Sequence, residues 1–282
     1  MAHRQLFISD MDGTLLSTDS RVTPESARLL SELTRRGALI TVATARTPAT
    51  VEPLLKDVAT TPPAIVMTGA ALWDRRKLRF AEPQLMSDTM SAEVRNLCKR
   101  EGVNPMVYTI APDNSRIEMF VYGQPGDAEH KFLEERSGSP LKRINLLPEG
   151  HGPRFHGRTV LQFAIGKAER IYAVAEQLRN RIGCAVSAYP DIFQADLGLL
   201  EVFAPGVSKA AAVERLRTLT GADEVTVFGD NLNDLPMMAV ADRAIAVGNA
   251  LEAVRDAADE IIGANSTDSV ARYIAAHYCC HQ

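Results

Sequence analysis

Two aspartates one residue apart, Asp10 and Asp12, follow the apolar run Leu6-Phe7-Ile8 and precede Gly13 and Thr14. Carboxylates this close repel each other, so the pair needs a cation, a shared proton, or both. Their oxygens are hard donors and suit magnesium better than zinc. Three later stretches carry matching chemistry. Thr44 ends an apolar run over 38–43, Lys209 follows Pro205-Gly206-Val207-Ser208, and Asp230-Asn231-Leu232-Asn233-Asp234 follows a run over 225–228. A phosphate ester would bring a further charge of about −1.5 to −2. Against one lysine and one magnesium ion, the site stays too negative unless one acid is protonated. Asp12, protonated beside the leaving group, relieves that excess and donates the proton that ester cleavage needs. Asp10 is then the natural nucleophile, forming an aspartyl-phosphate. Thr44 donates a hydroxyl to phosphoryl oxygens, and Lys209 adds a point charge at a helix start, where backbone amides also favour an anion. Asp230 completes a metal site, and Asp234 holds the metal waters or Lys209.

Each of these residues alone has an ordinary use. Thr44 satisfies a strand end, Lys209 is a surface lysine, and Asn231 or Asp234 caps the next helix. The ordered set, each member at the end of an apolar run, is what points to chemistry.

The elements that must position them alternate. Strands over 6–8, 38–43 and 64–67 are separated by helices, one opening with the cap Thr23 and Pro24 and one from Pro48 to about 58. This rhythm predicts a parallel sheet with right-handed crossovers, whose ligands sit beyond the carboxyl ends of the strands. The region 15–22 is polar and turn-like. From about Pro83 the pattern changes to a helix over 87–101, facing strands over 106–110 and 117–122, and a glycine- and proline-rich irregular stretch through Pro153. A strand over 160–165, a helix with Ile171, Val174, Leu178 and Ile182 on one face, and a strand over 184–188 follow. The first rhythm returns with a strand over 199–203, a helix through Leu219, and strands over 225–228, 244–247 and 260–262. The expected organisation is an α/β chain with a Rossmann-like parallel-sheet core, residues 1–83 and 189–282, interrupted by an inserted α+β cap domain over 84–188 that selects the substrate.

With these residues in view, the chain resembles the haloacid dehalogenase-like superfamily, in its Cof-type subgroup with a large α/β cap. Asp10-Met11-Asp12-Gly13-Thr14 resembles that family's first motif, Thr44 its second, Lys209 its third, and Gly229-Asp230-Asn231-Leu232-Asn233-Asp234 its fourth, with Met237-Met238 and Ala246-Val247-Gly248-Asn249-Ala250 following. The resemblance implies Asp10 as nucleophile, Asp12 as general acid and base, and Thr44 and Lys209 as phosphate ligands. It implies Mg2+ held by Asp10, the Asp12 carbonyl and Asp230, with Asn233 and Asp234 near the metal or phosphate and Arg46, Thr68 and Gly69 beside the substrate. Three positions depart from the usual pattern: Ala45 and Ala210 stand where glycine is usual, and Thr68 where asparagine is usual.

The implied activity is a magnesium-dependent phosphatase acting on a small phosphorylated metabolite, a sugar phosphate or similar. A phosphomutase would need a second phosphate grip, and no arginine-dense cap segment offers one. A non-catalytic phosphosugar-binding protein is the reading from another class, and retention of both Asp10 and Asp12 weighs against it. Cap contacts expected on residue type are Tyr108, Arg116, His151, His156 and Tyr189.

Composition fits this reading. With 282 residues and 46% hydrophobic content the chain has room for two domains and a sizeable core. A net charge of −4 argues against nucleic-acid or membrane-surface partners. The basic cluster Arg75-Arg76-Lys77 with Arg79 reads as a solvated hairpin. No segment is long enough to cross a bilayer, and Met1 to Asp10 lacks the apolar run of a secretory leader. Four cysteines without framework spacing, Cys98, Cys184, Cys279 and Cys280, suit a reducing cytoplasm. The tail from His277 to His281 reads as a frayed terminus rather than a metal site. A monomer or small homo-oligomer is expected.

Overall fold

The computed structural model describes residues 3–148, 157–191, 194 and 196–278. The chain divides into two compact units, Met1–Leu78 with Ser208–Gln282, and Arg79–Val207. The first unit opens with β1 (Gln5–Ser9), α1 (Pro24–Arg35), β2 (Leu39–Val42), α2 (Pro48–Leu54), β3 (Ala64–Val66) and β4 (Ala71–Asp74). The second contains β5 (Arg79–Ala81), α3 (Asp88–Arg100), β6 (Met106–Ile110), β7 (Ile117–Tyr122), α4 (Asp127–Glu135), β8 (Lys142–Leu147), β9 (Thr159–Lys167), α5 (Ala168–Ile182), β10 (Ala185–Pro190) and β11 (Leu197–Phe203). The first unit is completed by α6 (Lys209–Thr220), β12 (Glu224–Gly229), α7 (Leu235–Met238), β13 (Arg243–Ala246), α8 (Glu252–Asp256), β14 (Glu260–Ile261) and α9 (Ser269–His277).

In the first unit the sheet order is β14-β13-β12-β1-β2, with every pair parallel. Leu6, Phe7 and Ile8 on β1 and Val225, Val227 and Phe228 on β12 are buried, so both faces of the central strands are covered. That is why these runs read as continuously apolar. β3 continues the sheet beyond β2 through a single parallel bridge, Ala43 to Ile65, then turns back antiparallel with β4. α1 begins as its sequence dictates: the Thr23 side chain accepts from the Ser26 N–H, Pro24 occupies the first turn, and Ala27, Leu30 and Leu33 face the core. α2 stops at Leu54 rather than near 58; Pro53 lies within its last turn, and the Leu55 N–H closes it on the Val51 carbonyl at 3.0 Å.

The second unit holds a six-stranded sheet in the order β10-β11-β9-β6-β7-β8. The strand over 199–203 was expected in the core; β11 instead pairs antiparallel with β9 and β10. The unit therefore runs over Arg79–Val207 rather than 84–188. Hydrophobicity identifies a buried strand but not which sheet takes it. The stretch expected to be irregular contains α4 and β8. Only Leu133 of α4 is fully buried and β8 is a half-exposed edge strand, so neither leaves a strong periodic signal.

The basic hairpin is also not uniformly solvated. Arg75 bonds the Glu52 carboxylate at 3.1 Å and the carbonyls of Leu55 and Val58 at 2.7 and 2.9 Å, pinning the end of α2. Arg76 and Lys77 are exposed. No helix among the described residues is long and apolar enough to cross a membrane.

Candidate active site

β1 delivers Asp10 to the carboxyl edge of the sheet, where its N–H bonds the Phe228 carbonyl of β12 at 2.9 Å. The chain then makes a wide turn over Met11–Leu15, closed by the Leu16 N–H on the Met11 carbonyl. Gly13 has φ +81, and a Cβ there would overlap the Asp230 carboxylate. Glycine is thus required twice, for its backbone angle and for the close approach of a second acid. The Thr14 hydroxyl donates to Asp230 Oδ1 at 2.7 Å. Asn249 Nδ2 holds the Gly13 carbonyl and Asn265 Nδ2 holds that of Leu16, both at 2.8 Å. The Asn265 N–H in turn donates to Asn249 Oδ1. Sequence reasoning missed this asparagine clasp; Asn249 stood out only as part of Ala246-Val247-Gly248-Asn249-Ala250.

Lys209 is the first residue of α6, whose cap Ser208 accepts from the Ala211 N–H. Its side chain is 1% exposed. The ammonium donates to Asp10 Oδ1 at 2.5 Å and to Asp234 Oδ1 at 2.8 Å. Asp234 accepts on its other oxygen from the N–H groups of Asp230 and Asn231, both at 3.1 Å. Of the two duties expected of Asp234, it performs the lysine-holding one. Burial by itself would lower the lysine pKa, but Asp10 and Asp234 outweigh it and hold the ammonium charged. Asp10 moves the opposite way. Burial raises its pKa to about 7, the Lys209 charge opposing and the Asp234 and Asp230 charges adding to the rise. Asp230 is likewise pushed up, first by burial, against the Thr14 hydrogen bond.

Arg46 changes the expected charge balance. Its guanidinium grips the Asp12 carboxylate in a two-point fork, Nε to Oδ2 at 2.7 Å and Nη2 to Oδ1 at 2.6 Å. Such a fork is a strong and directional pairing of opposite charges. The excess of negative charge is thus met in part by a second cation, which a count of one lysine and one metal omits. The buried Thr44 accepts on its hydroxyl oxygen from the Arg46 N–H at 3.1 Å, leaving the hydroxyl proton to donate. Its carbonyl accepts from the Thr68 N–H. Thr68 has φ 57, the left-handed region that asparagine adopts more readily than a β-branched residue. The turn is held nonetheless: the Gly69 carbonyl accepts from Arg215 Nη2 at 2.6 Å, and a Cβ on Gly69 would overlap the Ser208 carbonyl.

Carboxylate oxygens of Asp10, Asp230 and Asp234 lie within 4.8 Å of one another. Asp234 has both oxygens engaged, so Asp10 and Asp230 are the residues that fit a hard divalent cation. Burial, the main cause of the raised pKa of both acids, disfavours their charged forms, a cost that a bound cation would offset. Asn233 is exposed.

Of the expected cap contacts, Tyr108 is buried, Arg116 is engaged by Glu118 at 2.7 Å, and Tyr189 is 37% exposed. His151 and His156 lie outside the described residues, as do Cys279, Cys280 and His281. His277 belongs to α9, stacked on Tyr273 at 3.9 Å.

A crevice of this composition at the carboxyl edge of a parallel sheet, joined to an inserted α+β unit, defines the class. The chain belongs to the haloacid dehalogenase-like hydrolase family, whose model matches residues 7–274. It is 24% identical to a pyridoxal phosphate phosphatase of Escherichia coli, over 95% of this chain and 96% of that one. It is 27% identical to an HMP-PP phosphatase of Serratia proteamaculans, over 94% of this chain and 92% of that one. In structure it resembles a haloacid dehalogenase-like hydrolase from Bacteroides thetaiotaomicron, with a TM-score of 0.76 and 19% identity over 98% and 100% of the two chains.

Proposed function

We propose that this protein is a magnesium-dependent phosphatase that hydrolyses small phosphorylated metabolites, sugar phosphates or compounds of similar size, through a phosphorylated Asp10. The observation that carries the reading is the buried Lys209 joining Asp10 to Asp234, with Asp230 beside them and Asp12 held by Arg46. The relatives named as phosphatases of pyridoxal phosphate and of HMP-PP support the reaction class.

Lys209 fixes the rotation of the Asp10 carboxylate and offers its charge to the phosphoryl oxygens, together with the Thr44 hydroxyl. An Asp10 oxygen attacks phosphorus and the bond to the leaving oxygen breaks. Asp12, protonated in the bound complex with one oxygen still accepting from Arg46, gives the proton on its other oxygen to the leaving oxygen. Asp12, then a base, takes a proton from the water that attacks the aspartyl-phosphate, returning Asp10 and free phosphate. Mg2+ held by Asp10 and Asp230 would supply charge neutralisation for the incoming phosphate. The unit Arg79–Val207 supplies selection of the leaving group.

Phosphate release from 4-nitrophenyl phosphate, with and without magnesium, tests the reading. Turnover is expected to need magnesium and to fall at least about a thousandfold in Asp10→Asn. Turnover that survives that substitution contradicts the mechanism.

A further inference from the structure

Three consecutive residues after β3 occupy the left-handed backbone region: Met67 with φ 49, Thr68 with φ 57 and Gly69 with φ 93. Only the glycine adopts it freely, so Met67 and Thr68 are held there by their surroundings. The holding contacts lie on two sides. On one, the Met67 N–H donates to the Arg46 carbonyl and the Thr68 N–H to the Thr44 carbonyl, both at 3.0 Å. On the other, the Gly69 backbone approaches α6 so closely that a Cβ there would overlap the Ser208 carbonyl oxygen and stand 3.1 Å from the Ala212 Cβ. One side chain of α6 closes this second side. Arg215, half-buried, donates from Nη2 to the carbonyl of the buried Gly69 at 2.6 Å. The turn therefore joins the segment carrying Thr44 to the helix whose first residue is Lys209.

We propose that Arg215 is a positioning residue for the reaction at Asp10: it clamps the strained turn over Met67, Thr68 and Gly69 against α6, and so sets Thr44 relative to Lys209. Its action runs through backbone, from the Gly69 carbonyl to the Thr68 N–H and on to the Thr44 carbonyl. A charged donor bonds a carbonyl more strongly than a neutral one does. Removing the guanidinium leaves a buried acceptor without that donor. Rotation of the peptide between Met67 and Thr68 then relieves Thr68 of its left-handed angle, and the same rotation turns the Thr68 N–H away from Thr44. Strain and clamp thus oppose each other, and Thr44 is placed only while the clamp wins. A displaced phosphate ligand costs most in the transition state, where the charge on the phosphoryl oxygens must be met in place. The rate half of this inference rests on the phosphatase reading; the phosphate-binding half does not.

The test compares the full parent chain with Arg215→Met, which keeps an unbranched stem and loses the donors, and Arg215→Lys, which keeps a charged donor. Circular dichroism first sets a temperature at which all three chains are folded. At that temperature, with magnesium, kcat/KM for 4-nitrophenyl phosphate is expected to fall about ten- to a hundredfold in Arg215→Met. Most of that loss is expected to be recovered in Arg215→Lys. The dissociation constant of inorganic phosphate, read by calorimetry, is expected to rise about three- to tenfold in Arg215→Met. Should Arg215→Met not fold, Arg215→Gln, which keeps a neutral donor, takes its place with a smaller loss in the same direction.

A merely structural arginine would change the unfolding midpoint and leave both readouts of the folded chain where they were. Parent kinetics and parent phosphate affinity in a folded Arg215→Met or Arg215→Gln chain therefore overturn the proposal. A lysine chain no better than the methionine chain overturns it too, because the effect then follows from the lost shape of the side chain and not from the bond to Gly69. Weakened phosphate binding in Arg215→Met, in a protein whose parent hydrolyses no ester, keeps the clamp and removes the phosphatase reading.

Discussion

Each unit buries a lysine, and the two side chains are driven in opposite directions. Lys209, 1% exposed, faces Asp10 and Asp234 and has its pKa raised. Lys142, 7% exposed, faces the Tyr108 ring, and burial together with the Arg136 charge lowers its pKa to about 8. Among the described residues it has no acidic ion-pair partner. Burial acts with the same sign on both. The neighbours decide the outcome, and they separate a lysine that two carboxylates hold charged from one that the fold tolerates at a cost.

Breaking the first arrangement is expected to have the largest effect on stability. Asp234→Ala leaves Lys209 with one carboxylate and two backbone N–H groups without their acceptor, and it is expected to destabilise the chain by about 3–5 kcal/mol in urea unfolding. A loss below about 1 kcal/mol, the worth of a surface ion pair, would mean that the buried pair is not structural.

The second arrangement is expected to respond with the opposite sign. Lys142→Met removes a buried charge and keeps the volume, so a gain of about 1–3 kcal/mol is expected at pH 7. The sign of its pH dependence follows from the lowered folded-state value. Below about pH 8 the lysine is protonated in both states and the full penalty applies. Between about 8 and the ordinary value of 10.5 the unfolded chain binds more protons, so the parent gains stability and the advantage of the methionine shrinks. An advantage that grows with pH over that interval would show that Lys142 is stabilised where it lies.

A smaller effect tests the exposed pair. Arg46→Lys keeps the charge but loses the two-point fork on Asp12, and kcat is expected to fall by about tenfold for alkyl phosphates. The fall is expected to be smaller for 4-nitrophenyl phosphate, whose leaving group needs little protonation. Equal losses for both would place Arg46 on the phosphate rather than on the acid.

The residues most legible in the sequence were those whose position depends on the chain alone. Asp10, Thr44 and Asp230 follow apolar strands, and strand order places them at one edge. The Arg46 fork was not legible, because it depends on where a long side chain turns after β2. The Asn249–Asn265 clasp also depends on folding, since it joins loops distant in sequence. β11 was assigned to the other sheet because its apolar run fits either, and α4 was hidden by the glycines and prolines around it.

The most direct measurement is a rapid-quench reaction of Asp12→Asn with 4-nitrophenyl phosphate. Nitrophenolate leaves without an acid, so the first step survives while the water attack loses its base. Expected is a burst approaching one nitrophenolate per chain, with a phosphoryl group on the peptide containing Asp10. Steady turnover with no burst and no phosphorylated peptide would contradict the assignment of Asp10 as the nucleophile.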